Sequence, residues 1–170
     1  ARAGLVLLLV PALFAGAVIA GPQPTHAPTT TGLVAQSLDP LTGNSQEGDP
    51  GQAVFIVPPN ALGNVTFRLS WQDEPDQAGA TNQPDTLRLV VLDHQRELGR
   101  VETSSGVSGA GEAIVRIVSP GATTLTLQVT VIAAGDQVIS APLIGQQTLA
   151  ADDGNAWAIE PTIEVVPTDS

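Results

Sequence analysis

The sequence predicts an all-β ectodomain, an antiparallel β-sandwich of jelly-roll or immunoglobulin-like type, preceded by one N-terminal transmembrane helix. Three observations carry this prediction. The stretch Gly4 to Gly21 contains only apolar side chains, glycine and proline. From Ala53 onward, apolar and polar residues alternate with a period of two, which is typical of half-buried strands. Short runs rich in Gly, Pro and Asp separate these strands, as in antiparallel sandwiches.

The first element, residues 1–21, is predicted to be a single-pass transmembrane signal-anchor helix. Its eighteen apolar residues rise about 27 Å as a helix, close to the hydrocarbon thickness of roughly 30 Å. Val18-Ile19-Ala20 also fits a signal-cleavage site, but we expect an uncleaved anchor, with a short piece before Ala1. Pro11 is expected to kink the helix. Arg2 precedes the apolar stretch, so the positive-inside rule predicts that the C-terminal domain lies outside the cytoplasm.

Residues 22–50 are predicted to be a Pro/Thr-rich linker, because they contain five prolines and few large apolar residues. Ordering such a strip costs about 1–2 kcal/mol per residue in backbone entropy. Apolar contacts have to offset that cost. We therefore expect the strip to dock against another chain or the body of the domain through Leu33, Val34, Leu38 and Leu41.

Residues 51–170 are predicted to form one extracytoplasmic β-sandwich domain with its own core. The predicted strands are Ala53–Val57, Val65–Gln72, Leu87–Val91, Ala113–Ile117, Leu125–Val131 and Trp157–Val165. The last strand contains Pro161, which cannot donate a ladder hydrogen bond, so this strand is predicted to lie at a sheet edge. Trp71 and Trp157 stand at alternating strand positions, which favours a core role over an exposed sugar-binding platform.

The composition excludes several kinds of site and partner. The chain has no cysteine, so disulfides, thiolate nucleophiles and cysteine-based zinc sites are excluded. All seventeen acidic residues lie at Asp39 or later, together with only five of the six arginines. Such an acidic domain is not expected to bind nucleic acid, and an anionic lipid surface repels it. We interpret the charge as a source of solubility.

One stretch of about thirty residues, from Val65 to Val91, resembles a known family. Its first strand ends at Trp71, an acidic loop containing proline follows, and Asn82 to Asp85 lead into the next apolar strand. This pattern is similar to jelly-roll accessory modules of secreted subtilisin-type proteases. The resemblance implies a binding or stabilising module rather than a catalytic one. The sequence differs from the usual setting of those modules because it contains no protease domain.

The fifteen residues from Trp71 to Asp85 contain four acids and one asparagine. Asp73, Asp76 and Asp85 are candidate calcium ligands, because Ca²⁺ takes six to eight oxygen ligands. The EF-hand spacing is missing, and a solvated turn rich in Asp and Pro explains the same pattern. We therefore expect the domain to fold without metal or cofactor, with calcium as the alternative. The loop from Asp152 to Asn155 is a second acidic segment, which a tight hairpin turn explains.

No group of residues predicts catalysis. His26 and His94 are far apart in sequence and have no evident partners for a metal site or a catalytic triad. The Ser- and Gly-rich segment 104–111 lacks both the G-x-S-x-G pattern and the phosphate-loop spacing. We therefore predict that the protein is not an enzyme. Asn64-Val65-Thr66 is a glycosylation acceptor triplet for a host that uses it.

Three functions fit these observations. The first is a non-catalytic, membrane-anchored accessory or structural subunit of a larger membrane protein assembly, for which an electron-transfer complex is one conceivable host. Its partners would be other membrane subunits and the lipid bilayer, contacted through the helix and linker. The second is a pilin-like filament subunit, which ranks lower because Pro22, Pro24 and Pro28 stop the helix at the membrane boundary. The third is a cell-surface module that binds a ligand such as sugar or calcium.

Overall fold

The computed structural model describes residues 32–106, 109–152 and 154–167. No helix within these ranges has the length and hydrophobicity needed to cross a membrane. The predicted transmembrane helix over residues 1–21 lies outside the described residues. The described ranges contain twelve strands: β1 (Val34–Ser37), β2 (Leu41–Gln46), β3 (Gly51–Ile56), β4 (Val65–Gln72), β5 (Thr81–Asn82), β6 (Thr86–Asp93), β7 (Arg96–Ser104), β8 (Ala110–Ile117), β9 (Thr124–Ala133), β10 (Gln137–Ala141), β11 (Gly145–Ala150) and β12 (Gly154–Val165).

Two antiparallel sheets form the body of the domain. Sheet A has the order β2-β12-β4-β8. Strands β1 and β2 lie on the same side of β12: β2 pairs with its first half, residues 154–159, and β1 pairs with its last four residues, 162–165. Sheet B has the order β3-β9-β6-β7. A third, smaller sheet contains β11, β10 and β5. The predicted all-β fold with antiparallel sheets in a sandwich is confirmed at this level.

The core lies between sheets A and B and comes from every second residue of the predicted alternating strands. Phe55 of sheet B meets Phe67 of sheet A edge to face, with ring centroids 5.1 Å apart and an interplanar angle of 87°. The apolar side chains with no exposed surface are Val65, Phe67, Leu69, Leu87, Leu89, Val91, Leu125, Leu127, Val129 and Ile159. The period-two pattern of the sequence therefore identified the inward face of both sheets.

Both tryptophans lie in the core, in one row across sheet A. The register pairs Gly43 with Trp157, Trp157 with Trp71, and Trp71 with Gly111. A Cβ on Gly43 would lie 2.4 Å from the Trp157 ring, and one on Gly111 would lie 2.0 Å from the Trp71 ring. The glycines at the two ends of the row therefore provide the space that the indole rings fill.

The prediction that Pro161 places its strand at a sheet edge is wrong, because β12 has neighbours on both sides. Pro161 pairs with Phe67 of β4, and its carbonyl accepts a hydrogen bond from the Leu38 N–H on the other side. The N and C=O of one strand residue point the same way. The missing donor of Pro161 therefore faces the interruption between β1 and β2, where no regular ladder runs.

The second part of the predicted linker differs from the structure, because residues 34–37 and 41–46 form strands β1 and β2 on β12. Their side chains are mostly polar, so pairing with β12 rather than a hydrophobic face makes them strands. Ser45 is buried and joins the sheets. Its Oγ donates to the Val129 carbonyl at 2.9 Å and accepts from Trp157 Nε1 at 2.8 Å.

The four predicted docking residues divide into two pairs. Leu38 and Leu41 are partly buried and pack against the core of their own domain. Leu33 and Val34 are exposed, each by 44%. Residues 22–31 lie outside the described part of the chain.

Candidate metal centre

Carboxylates are concentrated at one end of the sandwich, in the loops that join β2 to β3, β4 to β6, β9 to β10 and β11 to β12. We call this the acidic end. The ion pairs that the described arginines and His94 make all involve other acids. The carboxylates of the acidic end in the described ranges are Glu47, Asp49, Asp73, Glu74, Asp76, Asp85, Asp136 and Asp152.

Three of these carboxylates converge on one point. One oxygen from each of Asp73, Glu74 and Asp85 lies within 4.8 Å of the other two. Ca²⁺ binds oxygens at 2.3–2.6 Å, so two ligands on opposite sides of one ion are about 5 Å apart. Asp73 is 5% exposed and Asp85 is not exposed at all. The spacing of the three oxygens therefore fits a single shared calcium ion.

Donors from several loops fix the two buried carboxylates. Asp73 accepts hydrogen bonds from Ser105 Oγ at 2.5 Å, from the Asp85 N–H at 3.2 Å and from Asn82 Nδ2. Asp85 accepts at Oδ1 from the Gly135 N–H at 2.6 Å. A Cβ on Gly135 would lie 1.6 Å from the Gln83 carbonyl oxygen, so only glycine lets this backbone approach. The fold thus holds Asp73 and Asp85 in place independently of Glu74.

Four buried oxygens at this end have no hydrogen-bond partner. They are Asn82 Oδ1, Asp85 Oδ2, Asp152 Oδ2 and Asn155 Oδ1. Asn155 is 4% exposed, and its amide lies beside the Asp85 carboxyl. A buried acceptor left unpaired costs roughly 1–3 kcal/mol. All four atoms are acceptors, so a cation bound at the cluster would satisfy those within its reach, whereas added acceptors would not.

The electrostatics of the cluster favour an added positive charge. Burial of its carboxyl, followed by contact with the Asp152 carboxyl and the charges of Asp152 and Asp85, raises the pKa of Glu74 to about 7. Although Glu74 as a whole is exposed, its carboxyl reaches these buried groups. Burial also raises the pKa of Asp85, and the Gly135 N–H offsets part of this effect. Two carboxylates in contact must share a proton or a cation.

The arrangement supports cation binding better than acid–base catalysis. A Glu with a pKa near 7 beside an Asp is also typical of a general acid. A catalytic role for Asp85 would require substrate to reach it, but Asp85 has no exposed surface. Every candidate donor is an oxygen, which suits Ca²⁺ rather than Zn²⁺. With Asp152, Asn82 and Asn155, the cluster offers up to six oxygen-bearing side chains, and an open depression lined by Asp73, Glu74 and Asn82 leads to solvent.

The structure brings together two of the three predicted calcium candidates. Asp73 and Asp85 lie in the cluster, whereas Asp76 Oδ1 accepts the Asn82 N–H at 2.7 Å and is not one of the three converging acids. Sequence reasoning missed Glu74 as a ligand, although it directly follows Asp73. It also treated the loop from Asp152 to Asn155 as a separate turn, because nothing local shows that two loops about seventy residues apart meet.

The other candidate residues lie elsewhere. His94 is at the opposite end, where its side chain is 93% exposed and Nδ1 contacts Asp93 Oδ1 at 2.9 Å. Asn64, of the glycosylation triplet, donates through Nδ2 to Glu164 Oε2 at 2.8 Å. His26 lies outside the described residues.

No protein-family model matches this chain, and comparison with curated proteins finds no match. The resemblance of residues 65–91 to jelly-roll modules of subtilisin-type proteases therefore stays a prediction.

Proposed function

We propose that this protein is a non-catalytic, membrane-anchored accessory subunit of a larger membrane assembly, and that a calcium ion stabilises its external domain. The apolar stretch from Gly4 to Gly21 supports the anchor. The single observation that carries the calcium part is the unpartnered Oδ2 of Asp85, which is fully buried beside two other carboxylates. The ion would neutralise this charge and link loops from both sheets.

We further infer that the sandwich is a jelly roll. If β2, β3, β4, β6, β7, β8, β9 and β12 are counted as eight strands, sheet A contains the first, eighth, third and sixth. Sheet B contains the second, seventh, fourth and fifth. Long connections between sheets interleaved in this way give the two Greek keys of a jelly roll. Such a module suits binding and stabilising roles, in line with the accessory function.

The calcium proposal predicts a specific gain in stability. The full chain in detergent would be unfolded thermally in chelator, in CaCl₂ and in MgCl₂, with circular dichroism as the readout. At a free calcium concentration of 100 times Kd, binding adds about 2.7 kcal/mol. This corresponds to a midpoint rise of about 5–10 °C for a domain of this size. Mg²⁺ should give a much smaller rise, because it requires a tighter octahedral site.

A pair of variants separates a ligand from an ordinary acid. Asp85→Asn removes the buried charge and keeps the side-chain shape, so we expect the chelated protein to be at least as stable as the wild type. The calcium-induced rise should disappear. Asp76→Asn is the matched control and should keep the full rise. If chelator has no effect on the wild type, or if both variants respond to calcium equally, the calcium function is wrong.

A further inference from the structure

Apolar side chains are exposed at the end of the sandwich where the described chain begins. Leu33 and Val34 lie at the start of β1, Leu62 lies in the loop before β4, and Val166 follows β12. Their exposed fractions are 44%, 44%, 60% and 47%. We call these four residues the basal patch and this end the basal end.

The basal patch is one continuous surface. Val34 pairs with Val165, so the antiparallel register places Leu33 opposite Val166. The Leu62 N–H donates to the Glu164 carbonyl at 2.9 Å, which fixes the loop against β12. A Cβ on Gly63, the residue after Leu62, would lie 2.8 Å from Leu33 Cδ1. The loop before β4 therefore lies directly against Leu33.

Charge distinguishes the basal end from the acidic end. At the basal end, Arg116 pairs with Glu164 at 2.9 Å beside the patch, and Arg96 pairs with Asp93 at 2.9 Å in the β6–β7 turn. Strand β12 runs from the acidic end to the basal patch, and its twelve residues span roughly 36 Å. Anionic lipid headgroups repel the acidic end, whereas the basal end presents paired charges and apolar surface. The β10–β11 hairpin also exposes Leu143, Ile144 and Leu149, but β10 pairs with Asn82 in the acidic loop. Anionic headgroups therefore favour the basal end over this hairpin.

The position of the patch in the chain identifies its partner. Ten residues, 22–31, separate the apolar stretch ending at Gly21 from the first described residue, Gly32. Ten residues span at most about 35 Å. We propose that the basal patch lies on the headgroup interface of the bilayer in which the chain is anchored. This rests on the membrane anchor of the proposed function and adds an orientation, with the calcium site facing away from the membrane.

Single-cysteine labelling tests this orientation, because the chain has no native cysteine. Leu62→Cys places an environment-sensitive fluorophore in the patch. Leu143→Cys is the matched control, since Leu143 is 98% exposed in the β10–β11 turn of the small sheet, and β10 pairs with Asn82 of the acidic end. The full chain would be reconstituted in phosphatidylcholine vesicles. We expect the label at position 62 to be blue-shifted and quenched by nitroxide-labelled lipid, and the label at position 143 to be quenched by aqueous iodide.

Each outcome assigns the failure to one proposal. If the full chain does not float with the vesicles, the membrane anchor is wrong and the orientation is wrong with it. If the chain floats but iodide quenches both labels equally, only the basal-patch proposal is overturned. A label at position 62 that is blue-shifted yet inaccessible to the lipid nitroxide shows that protein covers the patch, which also overturns the proposal. Lipid quenching at position 143 reverses the orientation.

Discussion

The two ends of this sandwich shift the pKa values of their carboxyl groups in opposite directions. At the basal end, Glu164 accepts hydrogen bonds from the backbone and side chain of Asn64 and pairs with Arg116, and these contacts lower its pKa. The pKa of Asp93 is also lowered, first by His94 and then by Arg96. At the acidic end, burial and neighbouring acids raise the pKa of Glu74 and Asp85.

This difference shows that the fold supplies partners for the carboxylates at the basal end but not for every carboxylate at the acidic end. Each basal carboxylate has a donor or an arginine within the fold, so its charged form is stabilised. In the cluster, burial and neighbouring acids destabilise the charged forms of Glu74 and Asp85 unless a proton or a cation joins them. The stability of the acidic end must therefore depend on the protons and cations that the solvent supplies.

The largest expected effect comes from removing the core that both ends share. Phe67→Ala deletes a fully buried ring that contacts Phe55 across the sheets, which should cost about 3–5 kcal/mol. Urea unfolding of the full chain measures this loss. Ile114→Ala, at a position 52% exposed, is the control and should change stability by less than about 0.5 kcal/mol.

The same variant tests whether the ends are independent. The calcium-induced increment should be as large in Phe67→Ala as in the wild type, because distant sites contribute additively. A calcium increment that vanishes with the ring would show that the acidic end depends on the core and would contradict the comparison.

A smaller effect is expected from pH. The folded protein keeps a proton on Glu74 up to about pH 7, whereas an ordinary Glu loses it near 4.5. The folded state then binds more protons than the unfolded state, so this contribution is complete at low pH and is lost as the pH rises from 4.5 to about 7. Comparing the thermal midpoints of the wild type and Glu74→Gln in chelator isolates the contribution of Glu74 to stability.

We expect Glu74→Gln to be more stable than the wild type at pH 7 in chelator and to match it near pH 4. Added calcium should remove the advantage of the variant at pH 7. An advantage of the same size at both pH values would mean that Glu74 does not titrate in this range.

The smallest effect belongs to the basal end. Glu164→Gln weakens contacts with Asn64 and Arg116 at an exposed site, where ion pairs contribute little. The lowered pKa of Glu164 means that its contribution is present at neutral pH and is lost as the pH falls through the folded-state pKa. The variant should therefore be slightly less stable at pH 7 and equal at low pH. A changed calcium response in this variant would show that the two ends are coupled.

Period-two alternation predicted the inward faces of β4, β6, β8, β9 and β12, because each face buries large apolar residues. It did not predict β1, β2 or β11, whose side chains are mainly polar and exposed. Pairing with a neighbouring strand decides the structure of these segments, and single-sequence patterns do not contain that pairing. The edge prediction from Pro161 failed for the same reason. Pro161 is tolerated inside the sheet because it faces the break between β1 and β2, and the sequence of β12 does not show where its neighbours break.

The candidate site was predictable only where its residues are close in sequence. Asp73 and Asp85 flank one loop, so composition alone suggested them. Asp152 and Asn155 reach them because β12 lies beside β4 in sheet A. That neighbour relation joins residues about eighty positions apart and has no local signal.

The row of Gly43, Trp157, Trp71 and Gly111 gives this protein an unusual optical property. The chain contains two tryptophans and no tyrosine. Trp71 stands two residues before Asp73, and Trp157 stands two residues after Asn155. The near-ultraviolet absorbance and the intrinsic emission of the protein therefore originate almost entirely from two indoles in sheet A, beside the acidic end. The two tryptophans therefore report on the region where a cation would bind, and they give no signal from the basal end.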